Sequence, residues 1–191
     1  MKTPSSGAEG IEDGTRESRE LTRQRYRPDN VHMLFIGEAP PASGLFFYDA
    51  NSGLYRAIRN TFIHALPALR EADFLKCFQR LGCYLVDLCG EPVDRMDKPL
   101  RKSSCSDGES RLAETIRTLK PKFIISVVRS IQNNVSRACA QAGFGGQHIN
   151  LPYPGRWVRH RTEFEHALAP ILQREFERQL SATRPAATSH T

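Results

Sequence analysis

The sequence predicts an α/β fold, a three-layer α/β/α sandwich around a central, mainly parallel four-stranded sheet. Short apolar runs alternate along the chain with longer segments that carry apolar residues at helical spacing. Strands that alternate with helices in this way form βαβ units, whose strands lie parallel in one sheet. The length of 191 residues and the hydrophobic fraction of 39% are enough for the core of one domain.

Four apolar runs are predicted as strands because each is short and ends at a glycine, a polar residue or a proline-rich stretch. In chain order they are VHMLFIG (31–37), CYLVDLC (83–89), KFIISVV (122–128) and HINLPYP (148–154).

Five segments have the apolar period of an amphipathic helix. The clearest is 53–70, where Leu54, Ile58, Phe62 and Leu66 share one face. The others are 74–82, 105–121 with Ser106 or Asp107 as N-cap and Pro121 at its end, 130–143 closed by Gly143, and 161–180.

The two ends of the chain are polar and have no hydrophobic period. We predict a disordered arm over 1–30 with a short helix at 16–25, a folded domain over 31–180, and a disordered tail over 181–191. The first twenty residues contain no apolar stretch of the secretory type. Five cysteines without such a signal indicate reduced thiols. We therefore expect a cytoplasmic monomer with no membrane partner.

Ligands of open parallel sheets bind beyond the carboxyl ends of the strands. Three segments leave predicted strand ends, at 37–48, 87–96 and 151–160. We therefore expect these segments to converge on one cleft.

The first of these segments, GEAPPASGLFFY, suits a rigid binding loop. Gly37 permits a tight turn, Pro40 and Pro41 remove two amide donors and stiffen the chain, and Glu38 brings a carboxylate. The aromatic residues 46–48 offer flat faces that could hold a planar base. A purely structural alternative is that the aromatic rings pack under the next helix and that Glu38 caps its amides.

The same segment resembles the first motif of the uracil-DNA glycosylase superfamily, most closely its iron–sulfur family, whose motif opens with Gly-Glu-Ala-Pro. Here these residues are 37–40. Gly44 is followed three residues later by Phe47, the position of the stacking Phe in that family. A proline-started buried strand at 121–128 and a proline-rich motif before the last helix keep the family's order, so that the resemblance spans 31–180.

The resemblance implies a DNA glycosylase that hydrolyses the N-glycosidic bond of a flipped uracil or other deaminated base, as in base excision repair. DNA is then the partner, and a small planar base occupies a pocket. Phe47 would stack on the base, and Glu38 with the backbone of Ala39 and Pro40 would position the attacking water.

The second segment departs from the family. The superfamily has a base-reading Asn where this chain has Asp87. An ionised carboxylate accepts hydrogen bonds but cannot donate one to a carbonyl. Either the substrate differs, Asp87 is protonated, the alignment is shifted, or Asp87 caps a neighbouring turn.

The third segment, NLPYPGRW, resembles the His-Pro-Ser-Pro motif of the family, whose His donates to the departing base. Leu151 replaces that His and Tyr153 replaces the Ser, and we expect both to contact the base. A backbone amide, Tyr153, His148 or His160 could supply the missing donor. The residues expected to contact DNA are Pro152, Pro154, Arg156 and Arg159.

The resemblance to the iron–sulfur family does not extend to its ligands. Cys89 and Cys105 keep the spacing of the family's later cysteine pair, but no cysteine precedes Cys77. Two thiolates do not hold a cluster that needs four. We expect no cluster and no metal. A zinc site with Cys89, Cys105 and a His would lack the usual paired spacing.

Charge and the missing motifs leave two other hypotheses open. The net charge of +6 and basic residues at 95–102 and 156–161 fit a phosphate partner. A diverged member of the fold without catalysis could bind DNA, a nucleotide or a protein partner. A small-molecule hydrolase is a weaker alternative, because the sequence has no Gly-x-Ser-x-Gly motif.

Overall fold

The computed structural model describes residues 15–70, 73–155 and 157–182. Its centre is one sheet of four parallel strands in the order β2-β1-β3-β4. The strands are β1 (Met33–Gly37), β2 (Cys83–Asp87), β3 (Phe123–Ser126) and β4 (Gln147–Asn150). Helices flank the sheet, so the predicted α/β sandwich with a four-stranded parallel sheet is confirmed.

Seven α-helices are present in the described residues. They are α1 (Arg16–Arg25), α2 (Gly53–Ala65), α3 (Phe74–Arg80), α4 (Lys98–Asp107), α5 (Glu109–Leu119), α6 (Gln132–Ala142) and α7 (Val158–Ala182). None of the helices described is both long and apolar enough to cross a bilayer.

The first helical layer is held by an aromatic cluster. Phe35 of β1 contacts Phe62 of α2 and Phe78 of α3, with ring centroids 6.2 and 5.4 Å apart. Phe62 also stacks on Phe176 of α7 at 6.5 Å. Because side chains alternate across a strand, Leu34 and Ile36 face the opposite side of the sheet, where α5 and α6 form the third layer.

Helix α4 lies between β2 and α5, where the sequence analysis predicted no helix before residue 105. Asp97 accepts a hydrogen bond from the amide of Leu100 at 2.9 Å and so caps α4. Pro99 lies in the first turn, where its missing N–H costs nothing. The predicted N-cap at Ser106 or Asp107 is therefore wrong: both residues end α4, and Gly108 precedes α5.

Residues 15–30 are more ordered than predicted. Helix α1 has the predicted bounds, but it packs on the domain: Tyr26 stacks on Tyr48 with centroids 5.5 Å apart. The ordered structure thus extends beyond the predicted domain start at residue 31, at least as far as Arg16. At the other end α7 continues to Ala182, and the rest of the predicted tail and residues 1–14 lie outside the described residues.

Candidate base-binding site

A cavity of about 420 Å³ opens at the carboxyl ends of β1 and β2. Its walls include the three segments between β1 and α2, between β2 and α4, and after β4, and residues of α2, of α4 and of the segment after β3 complete them. Six predicted site residues line it, namely Glu38, Ala39, Pro40, Phe47, Asp87 and Tyr153. The expected convergence of the three segments on one cleft is therefore observed.

Hydrogen bonds extend the pairing of β1 and β2 past their last residues. The amide of Leu88 donates to the carbonyl of Gly37 at 2.9 Å, and that of Cys89 to Glu38 at 2.8 Å. This fixes the two strand ends side by side. A Cβ on Gly37 would lie 2.5 Å from Asp87 Oδ1, so glycine is required here for the carboxylate to occupy its position.

Glu38 is held at the cavity by an arginine of α4. Its Oε1 accepts from Arg101 Nε at 2.7 Å, and its Oε2 accepts from Arg101 Nη2 in a bidentate ion pair. The Glu38 side chain is 13% exposed and the Arg101 side chain 39%. Such a bidentate pair fixes the plane of the carboxylate.

The aromatic segment serves both packing and the cavity. Phe47 is 3% exposed and contacts the rings of Tyr48, Tyr55 and Phe78, with centroids 5.0, 5.8 and 5.4 Å away. It nevertheless lines the cavity. Tyr48 instead covers the edge of the sheet: its hydroxyl donates to the carbonyl of Leu85 at 3.1 Å and accepts from the amide of Leu85 at 2.7 Å.

Asp87 forms an ion pair with α1, which sequence reasoning did not foresee. Its Oδ2 accepts from Arg23 Nη2 at 2.9 Å. Burial raises the pKa of Asp87, while the charges of Arg23 and Arg111 oppose that rise. Asp87 therefore does not act as the cap of a neighbouring turn, because its carboxylate bonds to the side chain of Arg23, 64 residues away in sequence.

Other residues of the cavity were missed by the sequence analysis. Ser52 lines it and caps α2 by accepting from the amide of Tyr55 at 3.1 Å, so the positive end of that helix faces the cavity. Asp94 also lines it and accepts from the amide of Ala42 at 3.2 Å, which anchors the loop after Pro41. An acidic residue seven positions past a strand end carries no motif that would have marked it.

The third segment reaches the cavity at one point. Tyr153 lines it and is 45% exposed. Burial raises the pKa of Tyr153, and a tyrosine hydroxyl is already a donor at neutral pH without such a rise. Leu151, which was expected to contact the base, is instead 1% exposed, packs in the core and does not line this cavity.

The residues expected to contact DNA are scattered. Pro152 and Pro154 are buried. Arg159 lies in a surface hollow of α7 with Thr162 and Glu163. Arg156 lies outside the described residues.

His148 does not face an open site. Its Nε2 is 2.8 Å from the hydroxyl of Ser126, which is fully buried, and burial lowers the pKa of His148. Of the four donors considered in place of the missing His, Tyr153 is the side chain that lines the cavity.

The cysteines do not form the ligand set of a cluster. Cys89 and Cys105 are both buried, with Sγ atoms 3.7 Å apart. Burial raises the pKa of Cys89 to about 12. Within the described part of the chain, which includes all five cysteines, no three His, Cys, Asp or Glu side chains are arranged to hold a metal ion. These residues do not fit an iron–sulfur cluster.

A cavity at the carboxyl ends of parallel strands, lined by carboxylates and aromatic side chains, has the location of a ligand site in an open α/β sheet. The family model of the Uracil DNA glycosylase superfamily matches residues 24–182. The chain therefore belongs to the uracil-DNA glycosylase superfamily, whose members are generally DNA glycosylases. Among curated proteins, none matches this chain.

Proposed function

We propose that the protein is a DNA glycosylase that hydrolyses the N-glycosidic bond of a flipped uracil or other deaminated base. The observation that carries this proposal is the cavity of about 420 Å³, lined by Glu38, Phe47 and Asp87. A volume of this order accommodates one base with part of its sugar. The family supports DNA as substrate and hydrolysis as reaction.

The base would lie against Phe47, whose ring is fixed by aromatic neighbours and so costs little entropy to order. Asp87 would accept a hydrogen bond from an N–H of the base. As the glycosidic bond breaks, negative charge develops on the base, and the Tyr153 hydroxyl would donate to it.

Glu38 would orient the attacking water toward the sugar carbon. Its carboxylate lines the cavity and is held in one plane by Arg101. The amide of Ala39 is the last N–H before two prolines, so it is the backbone donor of this turn. In this scheme the protein acts without a metal or a cluster, in the cytoplasm and as a monomer.

DNA would approach over the positive rim of the cavity. Arg56 of α2 is exposed beside the mouth, and Lys98 and Lys102 of α4 are exposed near Arg101. Each basic side chain set against a phosphate makes binding weaker as salt rises.

A second candidate is a base- or DNA-binding protein without catalysis. It is favoured by Leu151, which is buried where the family has a donor. One experiment separates the two: oligonucleotides with uracil, hypoxanthine, xanthine or thymine opposite guanine are incubated with the protein and cleaved with alkali. A glycosylase leaves alkali-labile sites in at least one of them. Intact strands together with salt-sensitive binding would assign the protein to the second class.

A further inference from the structure

Helix α1 lies directly behind the wall of the cavity. Arg23 donates to the carboxylate of Asp87 at 2.9 Å, and its guanidinium lies over the ring of Phe46, 5.5 Å from the centroid. Both Phe46 and Asp87 line the cavity. A residue from the N-terminal segment thus completes the side of the site where a base would be read.

The ion pair of Arg23 and Asp87 is largely shielded from solvent. The side chains of Arg23 and Asp87 are 11% and 10% exposed. A carboxylate removed from water to this degree would take up a proton unless a cation stabilised its charge. Arg23 is bonded to the carboxylate itself, and Glu20 on the preceding turn of α1 also pairs with Arg23.

Other charged or titratable groups also act on Asp87, and each is placed differently. Arg19 of α1 acts at longer range and bonds to the carbonyl of Gly90 at 3.3 Å. Arg111 of α5 donates to the backbone carbonyl of Asp87 at 2.9 Å. Asp87 contributes only weakly to the raised pKa of the Tyr48 phenol, of which burial is the largest cause. Of these groups, Arg23 is the one bonded to the carboxylate.

We propose that Arg23 is a positioning residue that holds Asp87 as an oriented carboxylate, so that the site selects bases presenting an N–H donor to it. This rests on the proposed function. A carboxylate accepts only, so the ring N–H of uracil satisfies it. A base methylated at that nitrogen would leave the acceptor that faces the cavity without a hydrogen bond and would place a methyl group against it, which costs about 100-fold or more in recognition.

The charge of Arg23 can be removed without releasing α1. The helix keeps the stack of Tyr26 on Tyr48 and the ion pair of Arg19 with Glu91, whose atoms are 3.1 Å apart. Met in place of Arg23 retains an unbranched apolar stem. Arg25 is exposed on the same helix, so Arg25→Met is the matched control for loss of one charge.

The test compares wild type, Arg23→Met and Arg25→Met in uracil excision from a single-stranded oligonucleotide under single-turnover conditions across pH. Loss of the cation raises the Asp87 pKa. In Arg23→Met, the acidic limb of the plot of excision rate against pH should therefore shift to higher pH by about one unit or more. It should not move in Arg25→Met. Wild type should also excise N3-methyluracil about 100-fold or more slowly than uracil.

The ¹³C signal of the Asp87 carboxyl, assigned through Asp87→Asn, provides a readout that does not depend on catalysis. If wild type excises uracil and the limb of Arg23→Met stays in place, the proposal is overturned and the proposed function stands. If wild type excises nothing, the proposed function fails. The present proposal is then tested by adding free bases and following the Asp87 carboxyl signal. A shift of the carboxyl signal by 1-methyluracil but not by 1,3-dimethyluracil, of which only the first has a ring N–H, supports the proposed selection. A shift by both bases or by neither overturns it.

Discussion

The two ends of the sheet use similar ion pairs for different purposes. At the amino end, Glu175 of α7 accepts from His32 at 3.1 Å and from Lys122 at 3.0 Å. His32 is held between Phe123 and Phe176, with both centroids 5.5 Å away. At the carboxyl end, Glu38 and Asp87 accept from arginines at 2.7 and 2.9 Å, but both carboxylates line a cavity.

This difference indicates that the ion pairs at the amino end of the sheet serve stability, whereas those at the carboxyl end serve function. The Glu175 group connects the last helix to the start of the sheet. The carboxylates of Glu38 and Asp87 face space that a ligand can fill, and such sites are commonly retained at a cost in stability. Substitutions at the two ends should therefore separate stability from activity.

The largest expected effect is on Glu38. Glu38→Gln keeps the shape of the side chain but removes the charge that would orient water, so uracil excision should fall about 100-fold or more. The melting temperature should change little, because Arg101 is partly exposed and stays hydrated. Single-turnover excision and thermal unfolding measure the two quantities.

Glu175→Gln is the control for Glu38→Gln. It removes an ion pair at the other end and should leave excision unchanged. Equal activity of Glu38→Gln and wild type would show that Glu38 has a structural role alone.

The next largest effect concerns Gly37. A Cβ there would lie 2.5 Å from Asp87 Oδ1, so Gly37→Ala must displace the carboxylate. We expect a 10- to 100-fold loss of excision, of the order that misplacement of a reactive group causes. Gly145→Ala is the matched control, because a Cβ at Gly145 meets nothing within 4 Å. Unchanged excision in Gly37→Ala would mean that Asp87 does not read the base.

A smaller effect is expected for stability at the amino end. Glu175→Gln should lower the free energy of unfolding by about 1–2 kcal/mol at pH 7. Burial alone would raise the pKa of Glu175, but hydrogen bonds from Lys122, Arg174 and His32 outweigh it and the pKa is lowered.

A lowered carboxyl pKa fixes the direction of the pH dependence. The stabilisation is complete above the ordinary Glu pKa and disappears as the pH falls through the lowered pKa of the folded state. Urea unfolding of wild type and Glu175→Gln should therefore differ at pH 7 and converge in acid. A difference that stays constant with pH would exclude the ionic contribution.

The smallest effect is on DNA affinity. Lys102 is exposed on α4 near the cavity, and Lys102→Ala should reduce the slope of log K against log salt by about 1. Arg117→Ala, on α5 near the amino end of β3, is the control and should leave the slope unchanged. Equal slopes for all three proteins would move the DNA surface away from α4.

The sequence was sufficient for the sheet because its signals are local. Apolar runs such as 33–37 and 123–126 are fully buried. A short apolar run that ends at a turn signal predicts a buried strand. Helix α4 was missed because its residues are mostly polar, although Asp97 followed by Pro99 is a capping signal.

The partners of the site residues could not be read from the sequence. Glu38 and Arg101 are 63 positions apart, and Arg23 and Asp87 are 64 apart. No local pattern encodes such pairs, since they depend on how α1 and α4 pack against the strand ends. The burial of Leu151 is similarly a consequence of packing, whereas its neighbour Tyr153 reaches the cavity.

A crystal structure of Glu38→Gln with a uracil-containing oligonucleotide tests the central claim most directly. The account predicts a flipped uracil ring lying on Phe47, with its ring N–H in hydrogen-bond distance of Asp87. A uracil that stays stacked in the DNA, or one held at another surface while this cavity holds only solvent, would contradict it.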